Sequence, residues 1–500
     1  MALYGHGQST FNKYFPVGSY SRPSDIILNK DSSYTLLAAY VSSGNGSDGL
    51  TLTKFGKLGN ILLQKNHFSN TPEGYYTFGK NKQWIGVSAY SYLLLAACGN
   101  NSNTTGVLLA KINAQTLDTI WVKRYADPPF DLPTRHIIKI AANRYWLIGN
   151  KFDNNNTSYI ERPVIYETDT LGNIYFRKEF GNFQGFIPDA ITYDPTQTRI
   201  YMAGLNYTVP IVPQSFVACV DTNGIIDWNQ QIGVNPYITH FYQIEKKNNY
   251  LVLSGSKYNS YNGNFSLDKL CLTKLNAGTG NLTWQKTYGA QGLTTGLKGM
   301  VIDNDESIAA SGNYEITNPY GVPIDRYGII FKASSSGDSL WLKGYSNYPG
   351  IIVEDFLDLK TSFDGGYITS GLPWDASTPN SQSWVVKTDS LGNAPGVYTQ
   401  VVNIRENGSL AEGITFYPNP ATTQITIQYT EALSVGSLHI FIYSSLGQLV
   451  REEMLYAENG KFTLETSNLE AGIYELLLCP TQLDKNAGFN PIRKQFIIGQ

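Results

Sequence analysis

The chain has no uninterrupted run of eighteen apolar residues, which excludes a membrane-spanning helix. Cysteine is scarce: Cys98, Cys219, Cys271 and Cys479 stand alone, at none of the close spacings of a zinc site or redox pair. They are expected as buried single thiols, without a disulfide framework. The five histidines, at 6, 67, 136, 240 and 439, show no ligand spacing either. No metal is therefore expected, and with no glycine-rich loop opening a helix, no cofactor. Charged residues make up only 15% of the chain, the formal net charge is -3, and no long Lys/Arg run occurs, so nucleic acid and anionic membrane surfaces are not expected partners. The opening Met1-Ala-Leu-Tyr-Gly-His-Gly7 has no basic stretch before an apolar core, so no signal peptide is read in it. A cytoplasmic location is expected if Met1 is the natural start, and an exported one if a leader has been replaced by Met.

What the chain has in plenty is aromatic residues and glycine: 35 Tyr, 22 Phe and 8 Trp with 47 Gly. That balance favours strands and tight turns over long charged helices, so the fold class is all-β. Self-similarity organises it. A turn followed by an aromatic-Lys strand recurs as Gly59-Asn-Ile-Leu-Leu-Gln-Lys65, Asp118-Thr-Ile-Trp-Val-Lys123, Gly172-Asn-Ile-Tyr-Phe-Arg-Lys178, Gly224-Ile-Ile-Asp-Trp228, Gly280-Asn-Leu-Thr-Trp-Gln-Lys286, Gly337-Asp-Ser-Leu-Trp-Leu-Lys343 and Gly392-Asn-Ala394, spaced 52 to 59 residues. Each unit reads as four strands. The first ends in a polar turn, the second runs into a small residue (Gly149, Gly204, Gly255, Gly312, Gly371), the third alternates toward a Lys (Lys54, Lys111, Lys274, Lys332, Lys387), and the fourth is the aromatic-Lys strand. Radial repetition of four short strands is the propeller answer to exposed sheet edges, so residues 1–400 are expected to form a seven-bladed β-propeller. The seventh copy lacks its fourth strand. Thr10-Phe-Asn-Lys-Tyr14 has the spacing of Trp121-Val-Lys-Arg-Tyr125, so a strand over 10–15 is expected to complete the last blade and latch the ring.

Short turns share one face; longer, variable connections share the other, where binding residues concentrate. Candidate ligand residues there are Tyr207, Tyr258, Tyr261, Tyr314, Tyr320 and Trp374, aromatics suited to stacking on sugars or peptides. Packing of their own loops is the alternative role. Near the ring axis the innermost strands offer Asp25, His136, Asp189, Lys298 and Asp355, as a site or as a solvated polar rim. No catalytic constellation is read. Ser254-Gly-Ser-Lys257 has the spacing of a Ser/Lys nucleophile but ends a strand, where that chemistry needs a helix start. Asp303-Asn-Asp305-Glu306 could hold a hard cation but occupies a repeat turn, and Ser362-Phe-Asp364-Gly-Gly366 partly resembles the Asp box of sialidase propellers without its closing Trp.

Residues 401–413 are polar and unpatterned, as an exposed linker would be. Alternation resumes over 414–500, which is expected to be a small antiparallel, immunoglobulin-like β-sandwich. Four segments in order, Tyr417-Pro418-Asn419-Pro420, Ser445-Leu-Gly447-Gln-Leu-Val450, Leu469-Glu-Ala-Gly472-Ile-Tyr474 and Lys494-Gln-Phe-Ile-Ile498, resemble the type A C-terminal sorting domain of Bacteroidetes type IX secretion substrates. The blades, with D-G-G-Y and G-N-x-x-W-x-K phrases, are similar to propeller-like repeats found ahead of such domains. The resemblance implies export across the outer membrane, the translocon and sortase as partners of 414–500, cleavage in the preceding linker, and a secreted or surface location. The expected function is a binding or adhesion protein for glycan or protein, more a binder than an enzyme. A polysaccharide-active enzyme with a multi-blade site and a structural component of a surface assembly are the alternatives.

Overall fold

The computed structural model describes residues 8–15, 20–41, 48–67, 82–88, 91–99, 105–125, 134–154, 159–180, 185–206, 214–233, 237–261, 264–288, 296–317, 323–345, 353–374, 382–394, 414–429, 437–444, 449–458, 461–480 and 492–499. The chain divides into two compact units, Met1–Val401 and Val402–Gln500. Both are built of strands, and the first is a β-propeller.

Strands of the first unit pair antiparallel with their sequence neighbours in four-stranded sheets over 20–67, 82–125, 134–179, 186–231 and 237–288. The sixth sheet has nine strands. It joins a set over 296–345 to a set formed by Val353–Phe356 and Lys360–Thr361, Tyr367–Trp374, Ser383–Lys387 and the N-terminal Phe11–Phe15. Six sheets are thus delimited, not the seven separate blades expected from the repeat. The cause is a single parallel bridge, Arg326 to Val353, which fuses the last two sets.

The N-terminal strand pairs antiparallel with Ser383–Lys387, Phe11 opposite Lys387 and Phe15 opposite Ser383. Polar contacts hold it further. The Trp384 indole N–H donates to Asn12 Oδ1 at 2.5 Å, and Asp364 Oδ2 accepts from the Ser9 amide at 3.1 Å. Phe11 and Phe15 enter a core shared with Ile26, Tyr34, Leu36 and Phe55 of the first sheet and with Ile368 and Val385 of the last.

That arrangement repeats around the ring, since the apolar clusters lie between successive sheets: Leu37, Leu50 and Leu52 with Leu108, Ala110 and Ile112; Trp146, Ile148 and Ile165 with Phe186, Ile200 and Met202. Middle strands are buried on both faces and read as near-continuous apolar runs, whereas the fourth strand alternates, as in Ile61–His67.

The fourth strand explains the repeat phrase. The strands Thr119–Tyr125, Leu282–Tyr288 and Ser339–Tyr345 pack their Trp, Lys and Tyr on the third turn of the following repeat. A Cβ on Gly172, Gly280, Gly337 or Gly392 would lie 2.8, 2.4, 2.9 and 2.7 Å from Trp121, Trp228, Trp284 and Trp341 respectively, so only glycine admits the indole, and its φ of +72 to +82° suits glycine too. Tyr125, Tyr288 and Tyr345 each donate a hydroxyl proton, at 2.6 Å, to the carbonyl of Gly172, Gly337 and Gly392. The Lys reaches the residue after the glycine: Lys123 to Asn173 at 3.0 Å, Lys286 to Asp338 at 2.6 Å, Lys343 to Asn393 at 2.6 Å. Phe11 and Lys13 sit in the same way on Gly59, each 2.9 Å from the position of its absent Cβ.

The polar motifs of the sequence are absorbed by the scaffold. The Asp303–Glu306 turn pairs Asp303 with Lys332 of the third strand, and Asp305 accepts from the Ser307 amide at 3.0 Å. Asp364 pairs with Lys387 at 2.7 Å and Asp31 with Lys54 at 2.8 Å, each from the third position of its turn, where Asp303 acts from the first. Ser254 is wholly buried within Tyr250–Tyr261.

In the second unit, strands Ile414–Tyr417, Gln424–Tyr429 and Lys461–Glu465 form one sheet, and Leu449–Tyr456, Ser437–Ser444, Gly472–Pro480 and Ile492–Ile498 another. One core joins them: Ile425, Ile427, Phe462 and Leu464 against Ile440, Ile442, Leu476 and Phe496.

Phe11 is 3% exposed and edge-on to Phe55 with centroids 5.9 Å apart. Phe11→Ala is expected to lower stability by about 3–5 kcal/mol in a urea titration, the usual cost of truncating a core Phe. An unchanged midpoint for this variant, or for deletion of residues 1–18, would show that the N-terminal strand holds nothing.

Candidate functional site

The innermost strands carry an irregularity in register at one recurring place. It falls between Pro23 and Asp25, Thr134 and His136, Pro188 and Ala190, Phe241 and Gln243, and Leu297 and Gly299. The extra residue breaks strict alternation, so consecutive residues can face one space. Ser24 with Asp25, and Tyr242 with Gln243, accordingly line one axial cavity of about 110 Å³, together with His136, Asp358 and Lys360. The second-strand glycines follow from this kink. A Cβ on Gly204, Gly255 or Gly312 would lie 1.8, 2.0 and 1.7 Å from the carbonyl oxygens of Ile187, His240 and Gly296.

The structure brings Asp25 and His136 together in the cavity and places Asp189 and Asp355 in ion pairs with the innermost strands of other repeats. Asp189 accepts from His240 Nε2 at 2.9 Å, and Asp355 pairs with Lys298. Lys360 Nζ lies 3.3 Å from Asp25 Oδ1. Asp358 accepts from the amides of Ser370 at 2.7 Å and Ile26 at 3.1 Å, which ties the last innermost strand to the first. Burial, then the neighbouring Asp25 charge, push the Asp358 carboxyl above its ordinary value, and the same Asp25 raises the Lys360 ammonium. Glu245 accepts from the Ile302 amide at 3.3 Å, and burial lifts its carboxyl to about 7. Sequence reading missed His240, Glu245, Asp358 and Lys360. The signal for the last two was Leu357-Asp-Leu-Lys360, where polar residues interrupt the innermost strand's apolar pattern. Among the described residues no three His, Cys, Asp or Glu side chains are grouped to hold a metal.

Of the aromatic candidates, Tyr258 and Tyr314 are each 9% exposed, and Tyr258 packs on Leu205 and Ile238, which leaves both rings little surface to offer. Tyr261 and Trp374 end the strands Tyr250–Tyr261 and Tyr367–Trp374. Tyr207 and Tyr320 lie outside the described residues. Cys219 and Cys271 are free and buried, and burial pushes both thiols up to about 12, so neither is a nucleophile at neutral pH.

The tail motif has a structural logic. Asn419 Oδ1 accepts from the Ile497 amide at 2.9 Å, and Ala421 exchanges 2.8 Å backbone bonds with Ile497 and Gly499. Its first and last segments are therefore one hydrogen-bonded edge, with Tyr417, Pro418 and Pro420 exposed beside it. The Tyr417 hydroxyl donates to Gln428 at 3.0 Å. Tyr474 is buried, stacks on Phe496 with centroids 5.6 Å apart and donates to the Glu470 carbonyl at 2.9 Å. Gly472 starts its strand, Lys494 pairs in register with Leu476, and Gly447 lies outside the described residues.

A carboxyl with a raised folded pKa contributes stability that is complete below its unfolded value and lost as pH rises through the folded one. Thermal stability is expected to fall between about pH 4.5 and 7, and Glu245→Gln should flatten that fall. Parallel profiles for the two proteins would show that Glu245 is not the responsible group.

Residues 415–482 match the family described as secretion system C-terminal sorting domain. A comparison with curated proteins found no match. Among solved structures, the chain resembles the Pyrococcus horikoshii acylaminoacyl peptidase at 10% identity and TM-score 0.38, over 83% of this chain and 59% of that one. It resembles the β-propeller domain of the Trilobed protease from Pyrococcus furiosus at 9% identity and TM-score 0.41, over 78% and 100%. The polysaccharide lyase Uly1 is similar at 10% identity and TM-score 0.45, over 78% and 94%. The chain thus spans less than two thirds of that peptidase, and with TM-scores below 0.5 none of the three likenesses bears on activity. Among the described residues no helix is long and apolar enough to cross a membrane. The family match and the fold together make the chain a β-propeller protein with a type IX secretion sorting domain at residues 415–482, which marks it for secretion or the cell surface.

Proposed function

We propose that this is a non-enzymatic binding or adhesion protein whose long-connection face contacts glycan or protein outside the cell. On this reading the nine-stranded sheet serves as two blades, giving seven positions around the axis with the N-terminal strand as latch. The 414–500 unit is then an immunoglobulin-like type A tail held by the translocon and released by a sortase.

The observation that carries the binding reading is the state of the axis. Its charges are spent on one another, in the Asp189–His240, Lys298–Asp355 and Lys360–Asp25 pairs, and the cavity that Asp25 and Lys360 help to line is about 110 Å³. Pockets for sugars and other small ligands run to roughly 300–1,000 Å³, so the cavity lined by these described residues is too small for a substrate. A polysaccharide-active enzyme is the second reading, favoured by Asp25, Asp358 and His136 lining that one cavity.

A glycan array combined with a hydrolysis screen on the full chain separates the two. Retention of a glycan or surface protein without product is expected. Release of saccharide that Asp358→Asn abolishes would replace the binding reading with the enzymatic one. Export is checked separately. A reporter fused to residues 402–500 is expected to reach the medium or cell surface, and Asn419→Ala should reduce that yield by freeing the Ile492–Ile498 edge. Equal export of both would remove the role given to Asn419.

A further inference from the structure

At the junction between the 134–179 and 186–231 sheets the stapling between repeats is incomplete. Six of the seven third turns place Asn or Asp after the glycine or its equivalent: Asn60, Asp118, Asn173, Asn281, Asp338 and Asn393. The turn over 221–226 has Ile225 there. The strand that packs on it, Ile174–Glu179, carries Phe176 where Trp121, Trp284 and Trp341 stand, and Lys178 where Lys123, Lys286 and Lys343 stand. The side chains nearest Gly224 are Phe180 and Lys178, not Phe176. A cleft of about 440 Å³ lies beside this junction. Phe176, Tyr193, Trp146 and the polar Asn223 line it, on the short-turn face.

The charge in the cleft is positive and in part uncommitted. Glu167 is buried, accepts from the Trp146 indole at 3.1 Å and pairs with Arg144. The Arg144 guanidinium lies 5.6 Å from the Tyr175 ring centroid, with its side chain 54% exposed. Lys178 also lines the cleft and has no hydrogen-bond or ion-pair partner among the described residues. Arg144, Glu167 and Lys178 therefore sum to one positive charge beside two partly exposed aromatic faces.

We propose that this cleft binds a uronic-acid residue of an acidic polysaccharide, its ring against Phe176 and Tyr193 and its carboxylate on Lys178. Aromatic faces suit the C–H surface of a pyranose, and a cation left without its usual acceptor suits a carboxylate. The volume falls within the range of small-ligand sites, unlike the axial cavity. The site is on the opposite face from the one the proposed function uses, so either reading can fail without the other.

Calorimetric titration of the full chain with trigalacturonate and with maltotriose tests it. Trigalacturonate is expected to bind, more weakly as salt rises, and maltotriose to bind at least tenfold less tightly. Lys178→Met keeps the aliphatic stem against Gly224 and removes the charge; it should weaken trigalacturonate about tenfold or more with an unchanged melting temperature. The double change Phe176→Trp with Ile225→Asn restores the staple, and should abolish binding while raising the melting temperature. Absence of trigalacturonate binding, equal binding of the two sugars, or unaltered affinity in either variant would overturn the site.

Discussion

The contact on which the propeller depends is a fourth strand set against a glycine turn of the following repeat. Neither half can form it alone. The strand over 339–345 offers Trp341, Lys343 and Tyr345, and these need a backbone at positive φ with no Cβ in the way and an amide or carboxylate next to it. Gly392-Asn393 supplies all three requirements. Apolar contact, a neutral hydrogen bond to a carbonyl and a Lys-to-side-chain bond thus come from three alternate residues of one strand. That is why W-x-K-x-Y recurs as a unit in the sequence.

The axis uses different chemistry for the same end. In three repeats the innermost strand leaves its alternation at a kink that Gly204, Gly255 or Gly312 of the second strand accommodates. The polar side chains thereby brought inward then bond to the next innermost strand: Gln243 to the Met300 carbonyl at 3.2 Å, Glu245 to the Ile302 amide, Asp358 to the Ile26 amide. Buried carboxylates spent in this way serve as joints, and their raised proton affinity is a consequence of burial. In the second unit Asn419 plays a comparable part, closing a strand edge that would otherwise be open to pairing.

The all-β class, the repeat and the sorting tail were legible because each rests on local residue types: Gly-Asn turns, alternating strands, Tyr417-Pro-Asn-Pro420. The expectation of seven separate sheets did not allow for one backbone bridge, Arg326 to Val353, which no residue pattern announces. The axial cluster was half legible. Asp25, His136, Asp189 and Asp355 were singled out by their place at strand starts, but their partners His240, Lys360 and Asp358 come from other repeats and are set by kinks. The cleft beside Lys178 was visible in outline, since Ile225 departs from the Gly-Asn phrase, yet only packing shows that a cleft lies beside it.

If the stapling contact couples the repeats, weakening one should loosen all of them. Native-state hydrogen exchange on Trp284→Ala measures this directly. The account predicts that the most protected amides of the distant 20–67 sheet exchange faster by the same factor as those of the 237–288 sheet, because both open only when the ring opens. Faster exchange confined to residues 237–345 would contradict it.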